Sequence, residues 1–189
     1  SLHFLIQKLD IPKLKISSGE ITNAPLLLEA AKTGKPLIIS TGMCTMEEVQ
    51  VALGVLAFGY TKPEQKPDPE YFLTAFDSVE GRKCLQNNVT LLHCTTAYPT
   101  PYNEVNLKVI DTMASTFGLR VGYSDHTIGI SVPIAAVARG AEVIEKHFTM
   151  DKSLPGPDHR ASLDPVELKT MVTTIRQVEE ALGQAKKTP

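Results

Sequence analysis

Two histidines are placed so that they could share a metal ion. His126 follows the predicted strand 120–124, and His147 lies near the end of the next predicted strand, 143–148. Consecutive strands of an α/β fold are usually neighbours, so the two imidazoles could approach one cation. Neutral imidazole suits a transition metal such as Mn²⁺ or Zn²⁺ better than Ca²⁺. Two protein ligands would leave such a metal open to water and substrate, whereas a hydrogen-bonded structural role is the alternative for each histidine.

Polar residues follow all five predicted strands. In parallel α/β folds the chemistry lies at the carboxyl ends of the strands. Strands also need polar ends for their turns, so each group alone is weak, but together they predict a floor that binds hydroxyl and phosphate groups. The groups are Ser17-Ser18-Gly19-Glu20, Ser40-Thr41-Gly42, Thr95-Thr96-Ala97-Tyr98, Ser124-Asp125-His126 and Glu145-Lys146-His147.

Two further residues have the right chemistry for a polar substrate. Lys15 lies within an apolar strand, where an ammonium group is costly unless it is paired. It could face the interior and bind an anion, or extend to the rim of the sheet, and the sequence leaves both open. Asp158 lies in a segment whose two prolines and glycine restrict its conformations, at 155–160. Its carboxylate could accept hydrogen bonds from sugar hydroxyls, or the segment could be a plain turn.

Alternating strands and helices must position these side chains. Strands are predicted at 14–18, 37–41, 89–94, 120–124 and 143–148, with helices between them and a last helix from about 164 to 182. Asn23, and Thr45 with Glu48, are typical helix N-caps. Residues 59–88 interrupt the pattern and are predicted to be an extended surface connection, with a short helix at 71–76 as an option. The alternation indicates a parallel sheet, either an open doubly wound sheet or part of a closed barrel.

Composition narrows the functional classes. The chain has 189 residues, is 42% hydrophobic and carries a formal net charge of −2. A nearly neutral chain has no general attraction to nucleic acid or to an acidic membrane surface. No apolar run approaches the roughly 20 residues of a membrane span, and no signal peptide is visible. Three widely spaced cysteines suggest neither a disulfide framework nor a zinc motif, so we expect reduced thiols and a cytoplasmic protein.

Six strings of residues, in order along nearly the whole chain, resemble the N-acetylneuraminate (sialic acid) synthase family, which includes legionaminic and pseudaminic acid synthases. The resemblance excludes only the stretch 59–88. Six strings in order are far more specific than one motif. They are Lys15-Ile16-Ser17-Ser18-Gly19-Glu20, Ile39-Ser40-Thr41-Gly42-Met43, Leu92-His93-Cys94-Thr95-Thr96-Ala97-Tyr98-Pro99-Thr100-Pro101, Gly122-Tyr123-Ser124-Asp125-His126-Thr127, Glu145-Lys146-His147-Phe148-Thr149 and Gly156-Pro157-Asp158-His159.

The resemblance implies a (β/α)₈ TIM barrel, followed by a small antifreeze-like domain, in a homodimer. Residues 1–189 would be the C-terminal part of that barrel, about five βα units corresponding to strands 4–8. The first three strands, with a catalytic glutamate and a further lysine, and the antifreeze-like domain would lie outside these residues. We therefore expect this piece alone to be inactive.

The resemblance also implies an activity and a set of site residues. The family condenses phosphoenolpyruvate with N-acetylmannosamine or a related N-acylated amino sugar, giving a nine-carbon 2-keto acid and phosphate. His126 and His147 would bind the catalytic divalent metal, Mn²⁺ first, with Mg²⁺ or Co²⁺ as alternatives. The phosphoenolpyruvate ligands would be Lys15, Ser18, Ser40, Ser124 and Thr96, the last in place of an asparagine and with a shorter reach. The residues facing the sugar would be Glu20, also a catalytic candidate, Tyr98 and Asp158.

Three rival functions remain at this stage. The product could be a legionaminic- or pseudaminic-type acid, or the substrate a phosphorylated sugar. The enzyme could instead be another metal-dependent barrel aldolase. A non-catalytic binding protein on a decayed barrel is the third alternative, since a fold does not fix a function.

Overall fold

The computed structural model describes residues 2–187, which form an α/β fold of eight helices and five strands. The strands follow their chain order in one sheet, β1-β2-β3-β4-β5. This confirms the predicted α/β class and the count of five βα units. The strands are β1 (Leu14–Ile16), β2 (Leu37–Ser40), β3 (Val89–Cys94), β4 (Arg120–Asp125) and β5 (Ile144–Lys146), and the helices are α1 (Leu2–Gln7), α2 (Ala24–Lys32), α3 (Met46–Thr61), α4 (Pro69–Asp77), α5 (Val79–Asn88), α6 (Val109–Phe117), α7 (Ser131–Ala138) and α8 (Pro165–Leu182).

The chain divides into two compact units. The first contains residues 2–92 and 113–120, and the second contains residues 93–112 and those after 120. In the first unit β1 pairs in parallel with β2, and β2 with β3, with Leu14 opposite Leu37 and Leu37 opposite Val89. These residues are almost fully buried, as are Leu53 and Leu56 of α3. A continuous apolar layer of this kind is what a parallel sheet covered by helices requires.

Local signals start the helices of the first unit where the sequence predicts. The Asn23 side chain accepts a hydrogen bond from the Leu26 amide at the start of α2. Thr45 and Glu48 form a reciprocal capping box at the start of α3, which satisfies two amides that have no partner inside the helix. Helix α3 continues to Thr61.

The prediction of an extended connection at residues 59–88 is wrong. This stretch contains the end of α3 and two complete helices, α4 and α5. Helix α4 confirms the option of a short helix at 71–76. Asp68 caps α4, and the Ser78 hydroxyl accepts from the Gly81 amide at the start of α5. Aromatic packing of Phe58 against Phe72, with centroids 5.3 Å apart, attaches α4 to α3. Only the short segment between α3 and α4 has the loop character that its prolines indicate.

The second unit pairs β4 with β5 in parallel. Ser124 lies opposite Glu145, and Asp125 lies opposite Lys146. Helices α7 and α8 enclose a separate apolar cluster formed by Val137, Leu163, Met171 and Ile175. Helix α8 starts where the sequence predicts, and the structure shows a capping box of Asp164 and Glu167 there. No helix among residues 2–187 is both long enough and apolar enough to cross a membrane.

Candidate active site at the ends of strands β4 and β5

The two predicted metal-binding histidines lie next to each other. Their ring centroids are 5.3 Å apart and the rings are inclined by 65°. The pairing of Ser124 with Glu145 explains this, because side chains two residues further along each strand return to the same face. His126 is only 7% exposed, whereas the His147 side chain is 39% exposed. One ring is thus embedded in the protein and the other faces an open side.

Tyr98 and Asp158, which were predicted to face a sugar, border the same pair of rings. The Tyr98 ring lies 4.1 Å from the His126 ring and 6.0 Å from the His147 ring, centroid to centroid. Asp158 places Oδ2 3.6 Å from Nδ1 of His147. Burial raises the pKa of the Tyr98 phenol, and the nearby Cys94, Asp158 and Glu145 add to the shift. Two imidazoles, a phenol and a carboxylate therefore converge on one place.

The histidine pair fits a divalent transition metal on its own chemistry. Burial, followed by the neighbouring His147, lowers the pKa of His126 from 6.5 to about 4, so its imidazole is neutral at physiological pH. Its Nδ1 is buried and has no hydrogen-bond partner. A neutral imidazole with an unsatisfied buried nitrogen is a suitable ligand for such ions. Among the side chains that the structure describes, no group of three or more His, Cys, Asp or Glu could hold a metal ion, so a metal held by this pair would have two ligands from them.

Ser124 and Glu145 form a second polar pair on the face of the histidines. The Ser124 hydroxyl is buried and donates a 2.8 Å hydrogen bond to Oε1 of Glu145. Ser124 was predicted to bind phosphoenolpyruvate. The substrate would either replace Glu145 as the acceptor of this hydroxyl or donate a hydrogen bond to the hydroxyl oxygen. Glu145 also acts electrostatically on His126 and Tyr98. A carboxylate therefore belongs to this face, which the sequence-based set of site residues did not include.

A buried ion pair lies immediately beside the two histidines in sequence. Nζ of Lys146 is 2.5 Å from Oδ2 of Asp125 and 2.6 Å from the Thr127 carbonyl oxygen. The Asp125 carboxylate also accepts from the Thr127 amide and hydroxyl, at 3.0 and 3.1 Å. The side chains of Lys146 and Asp125 are 3% and 0% exposed. Both charges are thus compensated by partners within the chain.

The segment that carries Asp158 is held by its own hydrogen bonds. The Thr149 hydroxyl lies 2.7 Å from Nδ1 of His159. The Asp158 carbonyl oxygen accepts from the Ala161 and Ser162 amides and from the Ser162 hydroxyl. Gly156 has a positive φ of 148°, and a Cβ at this position would meet the His159 ring at 3.0 Å. The Asp158 carboxylate is therefore presented by an organised turn that needs glycine at position 156.

The first unit contains three of the other predicted ligands of phosphoenolpyruvate. Lys15 is exposed between buried Leu14 and Ile16, and its pairing with Ile38 puts it on the same face as Ser40, two residues further along β2. The Ser40 hydroxyl is buried and has no hydrogen-bond partner. The Ser18 hydroxyl accepts from the Gly42 amide at 3.1 Å. Lys15 and the Ser40 hydroxyl thus share one face of this unit, and a cation beside a hydroxyl is suited to an anion.

Glu20 and Thr96 are less constrained. Glu20 is exposed in the 3-10 turn Ser18–Glu20, where its carboxylate accepts a 2.7 Å hydrogen bond from the Asn23 side chain. Thr96 is exposed just after β3. Their roles toward a substrate stay predictions. His93, in contrast, is buried with Nε2 2.8 Å from the Val105 carbonyl oxygen, and burial lowers its pKa. This agrees with the core position expected for a residue within a strand.

Sequence reasoning placed Glu145, Asp125 and Lys146 in the polar groups at the strand ends but assigned none of them an individual role. A signal for them exists in the sequence. Each histidine is preceded by a charged residue, Asp125 before His126 and Lys146 before His147. A parallel register that aligns the histidines therefore also aligns a negative charge with a positive one, and it aligns Ser124 with Glu145.

Comparison with known proteins shows the family to which the chain belongs. The NeuB family model matches residues 1–187. The N,N'-diacetyllegionaminic acid synthase of Legionella pneumophila is 51% identical over 189 residues, which are 100% of this chain and 47% of that protein. The human N-acetylneuraminate-9-phosphate synthase is 37% identical over 183 residues, 96% of this chain and 44% of that protein.

A solved structure gives the same result. The crystal structure of N-acetylneuraminic acid (sialic acid) synthetase from Leptospira borgpetersenii, in complex with citrate, superposes with a TM-score of 0.79 at 33% identity, covering 97% of this chain and 55% of that one. This chain spans about half the length of the curated relatives it matches. The match along residues 1–187 and the identity to these synthases establish that the chain belongs to the NeuB family.

Proposed function

We propose that the protein containing this chain condenses phosphoenolpyruvate with an N-acylated amino sugar to give a sialic-acid-type nine-carbon 2-keto acid and phosphate. The observation that carries the proposal is the pair of imidazoles at the ends of β4 and β5, bordered by Tyr98 and Asp158. Family membership supports the reaction class. A homodimeric (β/α)₈ barrel in the cytoplasm, to which these residues contribute strands 4–8, is part of the same proposal.

In this proposal His126 and His147 hold a divalent metal, Mn²⁺ first and Mg²⁺ or Co²⁺ as alternatives. When bound, the metal would act as a Lewis acid that makes the sugar aldehyde more electrophilic. The low pKa of His126 keeps its ring neutral and available at physiological pH. Because the His126 ring is nearly buried, the low local dielectric strengthens electrostatic interactions at this ring.

The other residues of the site would bind and orient the two substrates. Lys15 offers a positive charge, and Ser40 an unsatisfied hydroxyl, to the phosphate and carboxylate of phosphoenolpyruvate. Ser18, Ser124 and Thr96 would add hydroxyl contacts to the same substrate. Tyr98 and Asp158 would hydrogen-bond the sugar, with Glu20 as a further contact and catalytic candidate. Fixing two reactants in one orientation accounts for much of the rate gain in a bimolecular condensation.

Among the acids of this type, a diacetyllegionaminic-type product is favoured. Two relatives that share about half of their aligned residues with this chain, at 51% and 48% identity, are N,N'-diacetyllegionaminic acid synthases. The N-acetylneuraminate-9-phosphate and pseudaminic acid synthases match at 36–38%. We therefore propose an amino sugar with two acetamido groups as the preferred substrate, and N-acetylmannosamine as a slower one.

The proposal is tested with the full-length protein, Mn²⁺, phosphoenolpyruvate and three sugars in parallel. The sugars are a 2,4-diacetamido hexose, N-acetylmannosamine and its 6-phosphate. We expect phosphate release that requires a sugar, is fastest with the diacetamido hexose, and yields a product with the mass of the sugar plus a three-carbon keto acid. Phosphate release without any carbon–carbon product would contradict the condensation.

Two variants connect that activity to the site. His126→Ala should remove metal-dependent turnover, because one of the two proposed metal ligands is lost. Asp111→Asn is the matched control, since Asp111 forms a half-exposed ion pair with Arg139 in the same unit, and it should keep turnover near the parent value. A His126→Ala protein that keeps full activity with chelator present would show that the histidine pair is not the catalytic centre.

A further inference from the structure

The Asp125–Lys146 ion pair has a position that a general stabilising role does not explain. It joins the last residue of β4 to the last residue of β5, and each partner is followed directly by one of the two histidines. Both charged side chains are almost completely buried. Taking two charges out of water is expensive, and such a pair is a weak source of net stability compared with apolar packing. We therefore ask which neighbouring residues the ion pair holds in position.

The hydrogen bonds of this pair fix the backbone on both sides of His126. Lys146 donates to Oδ2 of Asp125 and to the Thr127 carbonyl oxygen. Asp125 in turn accepts from the Thr127 amide and hydroxyl. One ammonium group thus contacts the residues before and after His126 while its own backbone precedes His147. We call Asp125, Thr127 and Lys146 the strand clamp.

Nδ1 of His126 is buried and has no hydrogen-bond partner, which leaves this nitrogen for the proposed cation and gives the ring no hydrogen bond there that would fix its orientation. The His126 carbonyl oxygen accepts from the Thr100 amide at 2.9 Å, and the ring packs on Tyr98. The spacing between the two imidazoles then depends on the backbone positions of residues 126 and 147, which the strand clamp joins.

We propose that Asp125, Thr127 and Lys146 are positioning residues that set the distance and orientation between the His126 and His147 rings for a shared divalent cation. This rests on the proposed function, because it assumes that the two imidazoles bind such an ion. The clamp lies on the alternate positions of the two strands, whereas Ser124, Glu145 and the histidines occupy the other set. It acts through the backbone and touches no substrate.

The test is Mn²⁺ binding to the full-length protein, measured by calorimetry at a temperature where every variant is folded. The double variant Asp125→Asn/Lys146→Met removes both charges together, so neither is left buried alone and the net charge beside the metal is unchanged. Thr127→Val keeps the charges paired and removes only the hydroxyl. We expect Kd for Mn²⁺ to rise roughly 10- to 100-fold in the double variant, as for other residues that orient metal ligands, and to rise less in Thr127→Val.

A second readout separates positioning from simple destabilisation. The visible absorption of the Co²⁺ form reports the coordination geometry, and we expect its bands to shift in the double variant. Asp111→Asn, which breaks the half-exposed Asp111–Arg139 pair of the same unit, should leave both Kd and spectrum unchanged. A purely structural role would lower the unfolding temperature but leave the folded protein's Kd and spectrum at parent values, and that result overturns the inference.

The outcomes distinguish the inference from the function on which it rests. If the parent protein binds no divalent cation, the proposed function fails. If the parent binds Mn²⁺ and the variants bind it equally well, only the strand clamp fails. If the double variant does not fold, Thr127→Val decides, and an unchanged Kd and spectrum in that variant refute the inference.

Discussion

Because the buried His126 ring is neutral in the folded protein, we expect the free energy of unfolding to fall at mildly acidic pH. Burial and the neighbouring His147 lower the pKa of this ring from 6.5 to about 4 in the folded protein. The unfolded chain, in which both causes are absent, takes up the proton near the ordinary value. Between pH 6.5 and 4 the unfolded state therefore binds more protons than the folded state. The free energy of unfolding must then fall as the pH falls through this window, and above pH 6.5 the ring contributes no pH dependence.

The magnitude follows from the two pKa values. Each pKa unit corresponds to about 1.4 kcal/mol, so the full loss from His126 is about 3 kcal/mol, and about 2 kcal/mol is lost by pH 5. Native domains are stable by only about 5–15 kcal/mol, so a change of this size is readily measured. Carboxyl groups titrate in the same range and also change the free energy of unfolding. Their contribution is subtracted by comparison with a variant that lacks only the imidazole.

The assay is urea unfolding of the metal-free full-length protein at pH 7.5 and pH 5.0. The parent is compared with His126→Gln, which cannot be protonated. We expect the parent to lose about 2 kcal/mol more than the variant between the two pH values. Equal losses would refute the assignment of a neutral, buried imidazole. A histidine NMR titration gives an independent check, because His147→Gln should raise the pKa of His126 by removing the neighbouring ring.

Two further predictions concern the sugar side of the site and the helices after α3. Asp158→Asn in the full-length enzyme should raise KM for the amino sugar roughly 10- to 150-fold, since a hydrogen bond to a charged group contributes about 1.5–3 kcal/mol. KM for phosphoenolpyruvate should stay constant, and an equal rise in both KM values would contradict a sugar contact. Gly81→Ala should destabilise the protein by about 1–3 kcal/mol in urea unfolding, because the new Cβ would overlap the Ala75 carbonyl oxygen. Gly19→Ala, whose Cβ meets nothing within 4 Å, is the control, and equal effects of both would refute the close approach.

Sequence patterns predicted the strands and most helices because local chemistry fixes them. Asn23 and Thr45 place helix starts through side-chain hydrogen bonds that involve only neighbouring residues. The stretch 59–88 was misread for the same reason. Its prolines and charges dominate the local pattern, and α5 buries only Gly81 and Leu85, so it shows no continuous apolar stripe. Helix α4 also packs its Tyr71 and Phe72 rings on Phe58 of α3, a contact that no local pattern contains.

The candidate site was predictable in its residue types but not in its pairings. Two histidines at consecutive strand ends can be recognised from strand prediction alone, and the structure places their rings 5.3 Å apart. The Ser124–Glu145 hydrogen bond and the Asp125–Lys146 ion pair depend on the register between β4 and β5. Register is a property of two strands together, so it is absent from any pattern within one strand.

The two-residue period of a strand explains how three consecutive residues on each strand can serve both chemistry and position. Ser124 and Glu145 pair on the face of the histidines, while Asp125 and Lys146 pair between them on the alternate positions. The face that carries the histidines can then keep a polar atom without a hydrogen-bond partner, which is the case for Nδ1 of His126. On the alternate positions, the charges of Asp125 and Lys146 are paired with each other and hydrogen-bonded to Thr127. A one-residue slip of β5 would oppose Asp125 to an imidazole or to Glu145 and leave Lys146 without its carboxylate. The buried ion pair therefore penalises every register except the one that brings the two imidazoles together.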